Sequence, residues 1–369
     1  MNKMSGMTVD TQFYNAFNNR IGQVFLYLTD NCNLRCIQCL YKTELAFQLE
    51  KKEMDFPDAL GLMTRMHEMG AIKMTFMGGE PTLYKKLPEL IHEAKKMGYS
   101  HVRIDTNGIF NPSLLDNPFF RELDEITFSL DGYTEEMNDA IRGKGSFKNC
   151  TANIKRAIDK GYNVHVTSCV HKGLTSQVDG EPFGLIKMIE FMKGLGVKTI
   201  NMHDLFKGGI PRDVWSGDIN TSVPEYMQAF SEVQKYKEKE NGISVRMPQC
   251  VTVKEEFSRN KEYYGYCSVK QFDRILAFPN GMLRVCSLMI GTPYGIGFYD
   301  KNRIYWNETP TNEVLGHTMN IDTPCTNQNK GSHFGEYVPL CVSFKPKQNE
   351  PVWLRKLQWE NRRKDNPSP

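Results

Sequence analysis

Three cysteines near the amino terminus constrain this chain more than any other feature of its sequence. Cys32, Cys36 and Cys39 are spaced C-x3-C-x2-C, directly after the apolar run VFLYLT (24–29), which is typical of a buried strand. Three thiolates on one short loop can hold three irons of a [4Fe–4S] cluster and leave the fourth iron open for chemistry. The alternatives are a structural zinc site, which would need a fourth ligand nearby, and plain core cysteines.

Three further segments follow the cysteine loop, and each begins as a strand and ends at Gly, Asn or Asp, where the chain must turn. They are MTFMGGEPTLY (74–84), RIDTNG (103–108) and ITFSLDGYTEEMNDAIRGKGSF (126–147). In this order, behind this cysteine loop, they closely resemble the radical S-adenosylmethionine (SAM) enzymes over residues 25–206. The resemblance implies that SAM chelates the open iron and that one electron from the cluster breaks its sulfonium bond. The resulting 5′-deoxyadenosyl radical would remove a hydrogen atom from an unactivated carbon.

Composition and charge describe an ordinary globular protein without a membrane or nucleic-acid signature. Of the 369 residues, 40% are hydrophobic and 24% are charged, and the net charge of +3 argues for neither nucleic acid nor an anionic membrane surface. The amino terminus lacks the apolar core of a signal peptide, and no run is long enough for a membrane span. Ten cysteines in such a chain indicate metal or redox chemistry. We therefore expect a cytoplasmic protein that is served by a low-potential electron donor, such as a flavodoxin or ferredoxin.

Helical and strand patterns alternate along the first two thirds of the chain. Helical spacing predicts helices at 56–70, 87–98, 147–161 and 183–196, each followed by a strand. Since parallel neighbours need crossover connections, six such strands predict an α/β fold with a parallel sheet covered by helices. The family's fold, a partial (β/α)6 TIM-like barrel, has the same count. The predicted divisions are a tail (1–20), the core barrel (21–240), a carboxy-terminal α+β domain (241–345) and a second tail (346–369).

The resemblance assigns the methionine part of SAM to the GGE motif. Gly78 and Gly79 lack a Cβ and so allow close approach, and their carbonyl groups, with Glu80, match the family's motif for the methionyl amine. One position departs from the family, which usually has an aromatic residue just before the third cysteine; here it is Gln38. Tyr41, two residues beyond that cysteine, is the candidate to supply the missing ring.

Residues at the ends of the next two strands are candidates for the rest of SAM. Ser129 and Asp131 are placed to recognise ribose hydroxyls, and Thr106 and Asn107 end the preceding strand on the same rim. Active sites of such barrels lie at the carboxyl ends of the strands, so these side chains should converge. Arg142 is a candidate for the SAM carboxylate as a fixed bidentate donor, the alternative being a surface arginine.

The carboxy-terminal third contains a predicted hairpin and five more cysteines. The stretch YCSVKQFDRILAFPNGMLRVCSL (266–288) has an Asn-Gly turn between apolar runs, which is a strong hairpin indicator. It resembles the opening of the SPASM and twitch extensions of radical SAM proteins, which hold auxiliary clusters. The resemblance favours a twitch-type domain with one auxiliary [4Fe–4S] cluster, or else zinc, on Cys267, Cys286, Cys325 and Cys341. Cys250 is not needed as one of these four ligands. It could replace one of them, donate a hydrogen atom to a substrate radical, or be a buried cysteine without a role in the chemistry.

Two enzyme hypotheses remain for the substrate. In the first, the enzyme oxidises or epimerises a small natural-product intermediate, such as an aminocyclitol or a sugar. In the second, it modifies a ribosomal peptide by crosslinking, thioether formation or epimerisation. Peptide enzymes are the larger share of the SPASM and twitch group, but many of them carry a separate leader-binding domain, and the segment before the first predicted strand is short here. The small-molecule hypothesis is therefore placed slightly ahead.

A third hypothesis, a non-catalytic iron–sulfur or zinc protein, would be expected to lose the GGE motif or a loop cysteine, and neither is lost. Cys150 and Cys169 lie within a predicted helix and a predicted strand and are interpreted as core residues. The histidines are scattered without ligand spacing and receive no role.

Overall fold

The structure is a computed structural model, and it describes fifteen stretches or single positions of the chain. These are residues 7–8, 21–39, 53–204, 219, 221–239, 242–247, 250–253, 255, 259, 266–267, 274–286, 295–300, 303–307, 337–340 and 344–345. Tyr41, Cys325 and Cys341 therefore lie outside the described residues, as do both predicted tails apart from residues 7–8.

Strands and helices alternate through the first part of the chain, and short strands follow. The strands are β1 (Met7–Thr8), β2 (Gln23–Tyr27), β3 (Lys73–Met77), β4 (His101–Thr106), β5 (Glu125–Ser129), β6 (Val164–Val170), β7 (Thr199–Asp204), β8 (Ser244–Arg246), β9 (Cys250–Val253), β10 (Tyr266–Cys267), β11 (Arg274–Ala277), β12 (Met282–Arg284), β13 (Gly297–Asp300), β14 (Arg303–Asn307), β15 (Tyr337–Leu340) and β16 (Phe344–Lys345). The helices are α1 (Phe56–Glu68), α2 (Leu87–Met97), α3 (Glu135–Arg142), α4 (Ser146–Asp159), α5 (Lys172–Thr175), α6 (Gly184–Gly194) and α7 (Val223–Lys239).

The central sheet confirms the predicted α/β fold. Strands β2 to β8 lie side by side in chain order and are all parallel. The six predicted strands correspond to β2–β7, and β8 extends the row. This order is consistent with a partial TIM-like barrel, in which each helix crosses back over the same face of the sheet.

The two faces of this sheet differ in chemistry. The outer face, towards the helices, carries fully buried apolar side chains such as Val102 and Ile104 of β4, and they share one hydrophobic core with α1, α2, α4, α6 and α7. Because side chains alternate along a strand, the residues between them point to the inner face. On β2 the inner face is apolar, where Phe25 and Tyr27 belong to a separate small cluster.

The predicted hairpin is confirmed and is joined to the barrel sheet in an unforeseen way. Strands β11 and β12 are antiparallel around Pro279, Asn280 and Gly281, and Gly281 adopts a φ of +85°. A Cβ at Gly281 would also collide with the carbonyl oxygen of Tyr299. Strand β11 pairs in parallel with β2, so one sheet of twelve strands continues from the barrel into the hairpin and on to β1. Within the part of the chain that the structure describes, no helix is long and apolar enough to cross a membrane.

Candidate active site

The cysteine loop leaves the carboxyl end of β2 and is tied to helix α3. Its three cysteines are all partly buried. The backbone N–H of Ile37 donates to the carbonyl oxygen of Ile141 (3.0 Å), and the Cys36 thiol donates to the carbonyl oxygen of Arg142 (3.8 Å). The Cys32 sulfur accepts hydrogen bonds from the Leu34 backbone (3.4 Å) and from the side chain of Asn107, which directly follows β4 (3.7 Å). The loop is thus held at the ends of the strands, where the family's chemistry is expected.

The donor set of this loop suits a cationic group that binds thiolates. The pKa of Cys36 is raised to about 11, chiefly by burial, with Cys39 and Cys32 adding to the rise because like charges repel and Arg142 opposing it. Burial likewise raises the pKa of Cys32. A bound metal centre reverses this tendency, since coordination deprotonates a thiol.

The spacing of ligands around a cluster differs from that around one ion. Among the described side chains, no group of three or more His, Cys, Asp or Glu is arranged to hold a single metal ion. Three cysteines that each bind a different iron need not converge on one point. The loop therefore fits a [4Fe–4S] cluster by its donor types, its burial and the mutual repulsion of its sulfurs.

The GGE motif packs directly beneath the cysteine loop. The backbone N–H of Gly79 donates to the carbonyl oxygen of Thr29 (2.5 Å), and that of Glu80 donates to the carbonyl oxygen of Asn31 (2.8 Å). A Cβ on Gly79 would collide with the Asn31 carbonyl oxygen, and one on Gly78 would lie 2.6 Å from the Thr29 carbonyl oxygen. The two glycines are thus required for the contact between strand end and loop, in addition to the role predicted for their carbonyl groups.

The Glu80 side chain is buried and connects the ends of β3 and β4. One oxygen accepts from the hydroxyl groups of Thr82 (2.7 Å) and Thr106 (2.6 Å), and the other accepts from the backbone N–H of Asn107 (2.7 Å). Burial raises the pKa of Glu80, while these hydrogen bonds oppose the rise. The carboxylate is engaged by protein donors and only 1% of the residue is exposed, so a contact between this motif and an amine falls to the main-chain carbonyl groups.

Asn107 links this corner to the cysteine loop. Its side-chain N–H donates to the Asn33 side-chain oxygen (2.6 Å) and to the Cys32 sulfur (3.7 Å). Its own side-chain oxygen accepts from the backbone of Ile109 (2.8 Å). The predicted rim residues Thr106 and Asn107 thus come together with Glu80 and the first cysteine.

Asp131, like Glu80, contacts several residues of the site, and two of them, Gln38 and Arg142, were discussed in the sequence analysis. It is fully buried, and its Oδ2 accepts from the Gln38 amide (2.5 Å) and lies 2.6 Å from the Arg142 Nε. Its Oδ1 accepts from the Cys169 backbone (2.7 Å). Burial acts to lower the pKa of Arg142, but Asp131 and the neighbouring cysteines together raise it. Ser129, the other predicted ribose ligand, lies at the end of β5 and is partly exposed.

Gln38 has a definite place although it departs from the family pattern. It is 6% exposed, its amide N–H donates to Asp131, and its side-chain oxygen finds no hydrogen-bond partner among the residues that the structure describes. Among these residues, an aromatic ring here would leave Asp131 with Arg142 as its one side-chain partner. The polar residue therefore connects the cysteine loop to the end of β5.

The carboxy-terminal cysteines are only partly covered by the described residues. Cys286 follows β12 and is partly buried against the main core. Cys250 pairs with Leu340 across β9 and β15, and Cys267 pairs with Phe344 across β10 and β16. The two strand pairs thus bring Cys250 and Cys267 beside the chain that flanks position 341. The auxiliary site stays a prediction.

Sequence reasoning missed a polar group on the inner face of the sheet. Arg103 and Asp105 of β4, Glu125 of β5 and His165 of β6 interact with one another, and the histidine was given no role. An indicator was present in the sequence. Central parallel strands usually read as continuous apolar runs, whereas HVRIDT and NVHVTSCV place polar residues at alternate positions.

Comparison with known proteins supports the same superfamily. The profile described as the Radical SAM superfamily matches residues 26–179. A probable GTP 3′,8-cyclase of Saccharolobus islandicus is 26% identical over 227 residues, which span 60% of this chain and 70% of that protein. A probable GTP 3′,8-cyclase of Metallosphaera sedula is 28% identical over 190 residues, which span 51% of this chain and 57%, less than two thirds, of that protein.

Two solved structures share the fold at low sequence identity. Native anSMEcpe with bound AdoMet and the Kp18Cys peptide has a TM-score of 0.59 and 14% identity, over 91% of this chain and 94% of that chain. SuiB of Streptococcus suis bound to S-adenosylmethionine has a TM-score of 0.57 and 15% identity, over 76% of this chain and 62% of that chain. At this identity the likeness concerns the fold alone.

Proposed function

We propose, since residues 26–179 match the profile of the radical SAM superfamily, that this protein is an enzyme that removes a hydrogen atom from a carbon of a small, hydroxyl-rich molecule. The outcome would be oxidation or epimerisation of an aminocyclitol or a sugar in natural-product biosynthesis. The observation that carries the substrate class is the polar inner face of the sheet, with Arg103, Asp105 and Glu125 at its centre. A small molecule with several hydroxyl groups matches such closely spaced donors and acceptors.

The chain's own residues have distinct parts in this proposal. Cys32, Cys36 and Cys39 would hold the [4Fe–4S] cluster, which supplies with SAM the electron transfer and the radical that abstracts hydrogen. The carbonyl groups of Gly78 and Gly79 would receive the methionyl amine, because Glu80 is engaged by other donors.

Of the remaining residues predicted to contact SAM, some would bind it and others would hold the binding residues in place. Arg142 would meet the SAM carboxylate with its terminal nitrogens, since its Nε lies against Asp131. Thr106 and Asn107 would keep the rim in place through Glu80. Ser129 would stay available to the ribose, and Tyr41 to the adenine. The auxiliary cluster on Cys267, Cys286, Cys325 and Cys341 would accept an electron from the substrate radical, with Cys250 as a further ligand or hydrogen-atom donor.

GTP is a second candidate substrate. It is favoured by the names of the relatives, which are 26% and 28% identical to this chain. A ribose offers hydroxyl groups of the same kind as a cyclitol, so the inner face suits both. A peptide substrate is the remaining alternative, and it is included in the test below.

The test is production of 5′-deoxyadenosine by the anaerobic, cluster-loaded enzyme with SAM and dithionite. Candidate substrates are 2-deoxystreptamine and D-glucosamine, both carrying deuterium on carbon, together with GTP and any short peptide encoded beside the gene. Stimulated cleavage with deuterium in the 5′-deoxyadenosine from a cyclitol or sugar would support the proposal. Transfer from GTP or the peptide alone would replace it, and no 5′-deoxyadenosine from fully loaded enzyme would refute radical chemistry. The Cys32/Cys36/Cys39→Ala variant is the control.

A further inference from the structure

The inner face of β4 is open to solvent although β4 is a central strand. Strands β3 and β5 cover its two edges, and the helices cover Val102 and Ile104 on its outer face. Arg103 and Asp105 nevertheless each keep 20% of their side chains exposed. Solvent can reach them only across the inner face, so this face borders an open chamber.

Charged groups in this chamber are gathered around Arg103. Its Nε lies 3.2 Å from Asp105 Oδ1, its Nη2 donates to Asp105 Oδ2 (3.3 Å), and its Nη1 donates to Glu125 Oε1 (3.3 Å). Glu125 also accepts from Thr127 (2.7 Å) and lies 3.0 Å from His165 Nδ1. Burial acts to raise the pKa of Glu125, but its partners hold that pKa below its usual range. Glu125 is therefore well satisfied.

Arg103 and Asp105 keep hydrogen-bonding capacity beyond their mutual contact. Their Nε and Oδ1 atoms are buried and form an ion pair at 3.2 Å that lacks hydrogen-bond geometry. Each terminal nitrogen of Arg103 also carries a second N–H, which no described side chain accepts. Burial raises the pKa of Asp105. The ion pair already compensates Nε and Oδ1, so a ligand that supplies both donors and acceptors would use the remaining N–H groups of Arg103 and the remaining lone pairs of the Asp105 carboxylate.

A hydroxyl group is the ligand chemistry that fits both residues at once. It can accept from the Arg103 guanidinium and donate to the Asp105 carboxylate, and two adjacent hydroxyls can do so side by side. The chamber also has an apolar wall, because the partly exposed Phe25 ring lies 5.9 Å from the Arg103 guanidinium. A sugar or cyclitol ring has polar edges and apolar faces that match these two surfaces.

We propose that Arg103 and Asp105 bind a vicinal diol of the substrate on the inner face of the sheet. The inference rests on the proposed function, because it names the group by which a small substrate would be held. The diol could belong to a sugar or cyclitol ring or to the ribose of a nucleotide, and the two sources are separated by the choice of probe.

The test measures binding without turnover, by titration calorimetry on the cluster-loaded enzyme with SAM and no reductant. The probes are 2-deoxystreptamine and GTP, which carry a vicinal diol, and cis-1,3-diaminocyclohexane, which does not. Asp105→Asn keeps the shape of the side chain but removes its charge, and should weaken diol binding about 10- to 100-fold. Glu122→Gln is the control, because Glu122 pairs with His92 on the outer side of the protein.

Each outcome has a definite meaning. Loss of 2-deoxystreptamine binding in Asp105→Asn assigns the diol to a cyclitol, and loss of GTP binding alone assigns it to a ribose; both support the proposal. Diol binding that is unchanged in Asp105→Asn, absent from the wild type, or matched by the probe without hydroxyls overturns it. Iron content and SAM affinity equal to wild type show that the variant is folded. Because no step is turned over, failure here differs from a failure to form 5′-deoxyadenosine.

Discussion

Substitution of Gly79 by alanine separates two explanations of the GGE motif. If the glycine only lets SAM approach its carbonyl group, the added methyl would weaken SAM binding and leave the cysteine loop intact. The structure supports a second role, because the Cβ would meet the carbonyl oxygens of Asn31 and Asp30, the latter at 2.6 Å. Alanine should therefore displace the loop that carries the cluster ligands.

The size of this effect follows from what the methyl group meets. Overpacking usually costs about 1–3 kcal/mol. Both obstructing atoms belong to the backbone and cannot rotate away, and the loop is also tied to Ile141 through Ile37. We therefore expect the upper end, about 3 kcal/mol, which is roughly a hundredfold in the equilibrium between the native and displaced loop.

The assay is iron and sulfide content after anaerobic reconstitution, together with thermal unfolding. Gly79→Ala should retain much less of the cluster bound by the loop than the wild type does. Gly194→Ala is the matched control, because Gly194 ends helix α6 and a Cβ there meets nothing within 4 Å. A Gly79→Ala enzyme with full iron content and reduced SAM affinity would refute the packing argument.

Three other perturbations give distinct results. Glu80→Gln places an amide N–H opposite groups that donate hydrogen bonds to the wild-type carboxylate, so it should lower the free energy of unfolding by about 1–3 kcal/mol. Urea titration measures this loss, and an unchanged midpoint would show that the contacts of Glu80 do not stabilise the fold. Burial lowers the pKa of His203 to about 4 in the folded protein. As the pH drops from 6.5 towards 4, this histidine is protonated in the unfolded chain before it is protonated in the folded protein, so the free energy of unfolding should fall. His203→Gln should flatten this fall in urea midpoints measured across the window. Mössbauer spectra and iron analysis should give about eight irons in the wild type and about four in Cys32/Cys36/Cys39→Ala. About four irons in the wild type and none in the variant would show that the auxiliary cluster does not exist.

The parts of the fold that the sequence predicts are those set by local patterns. Helix α2 stops at Gly98, whose φ of +98° suits glycine, and the hairpin turns at Asn280 and Gly281 as its residues require. The parallel pairing of β11 with β2 could not be predicted in this way. It joins strands about 250 positions apart, and neither strand carries a pattern that names its partner.

The same distinction between local patterns and distant contacts decides which parts of the candidate site could be predicted. The motif residues Glu80, Thr106 and Asn107 do come together, because the ends of neighbouring parallel strands share one edge of the sheet. The inner-face pair of Arg103 and Asp105 was missed because single polar residues in a strand look like ordinary solvent-facing positions. Only the burial of both edges and of the opposite face shows that they line a chamber.

The contacts of Asp131 argue for a division of work between it and Arg142. A ribose hydroxyl on Asp131 would compete with Gln38, Arg142 and the Cys169 backbone, and separating the buried ion pair would leave a charge uncompensated. Arg142, in contrast, meets Asp131 through its Nε, and this contact restricts the plane of the guanidinium. Asp131 thus serves best by holding the cysteine loop, α3 and β6 together, so that Arg142 and the loop keep the orientation on which a SAM carboxylate would depend.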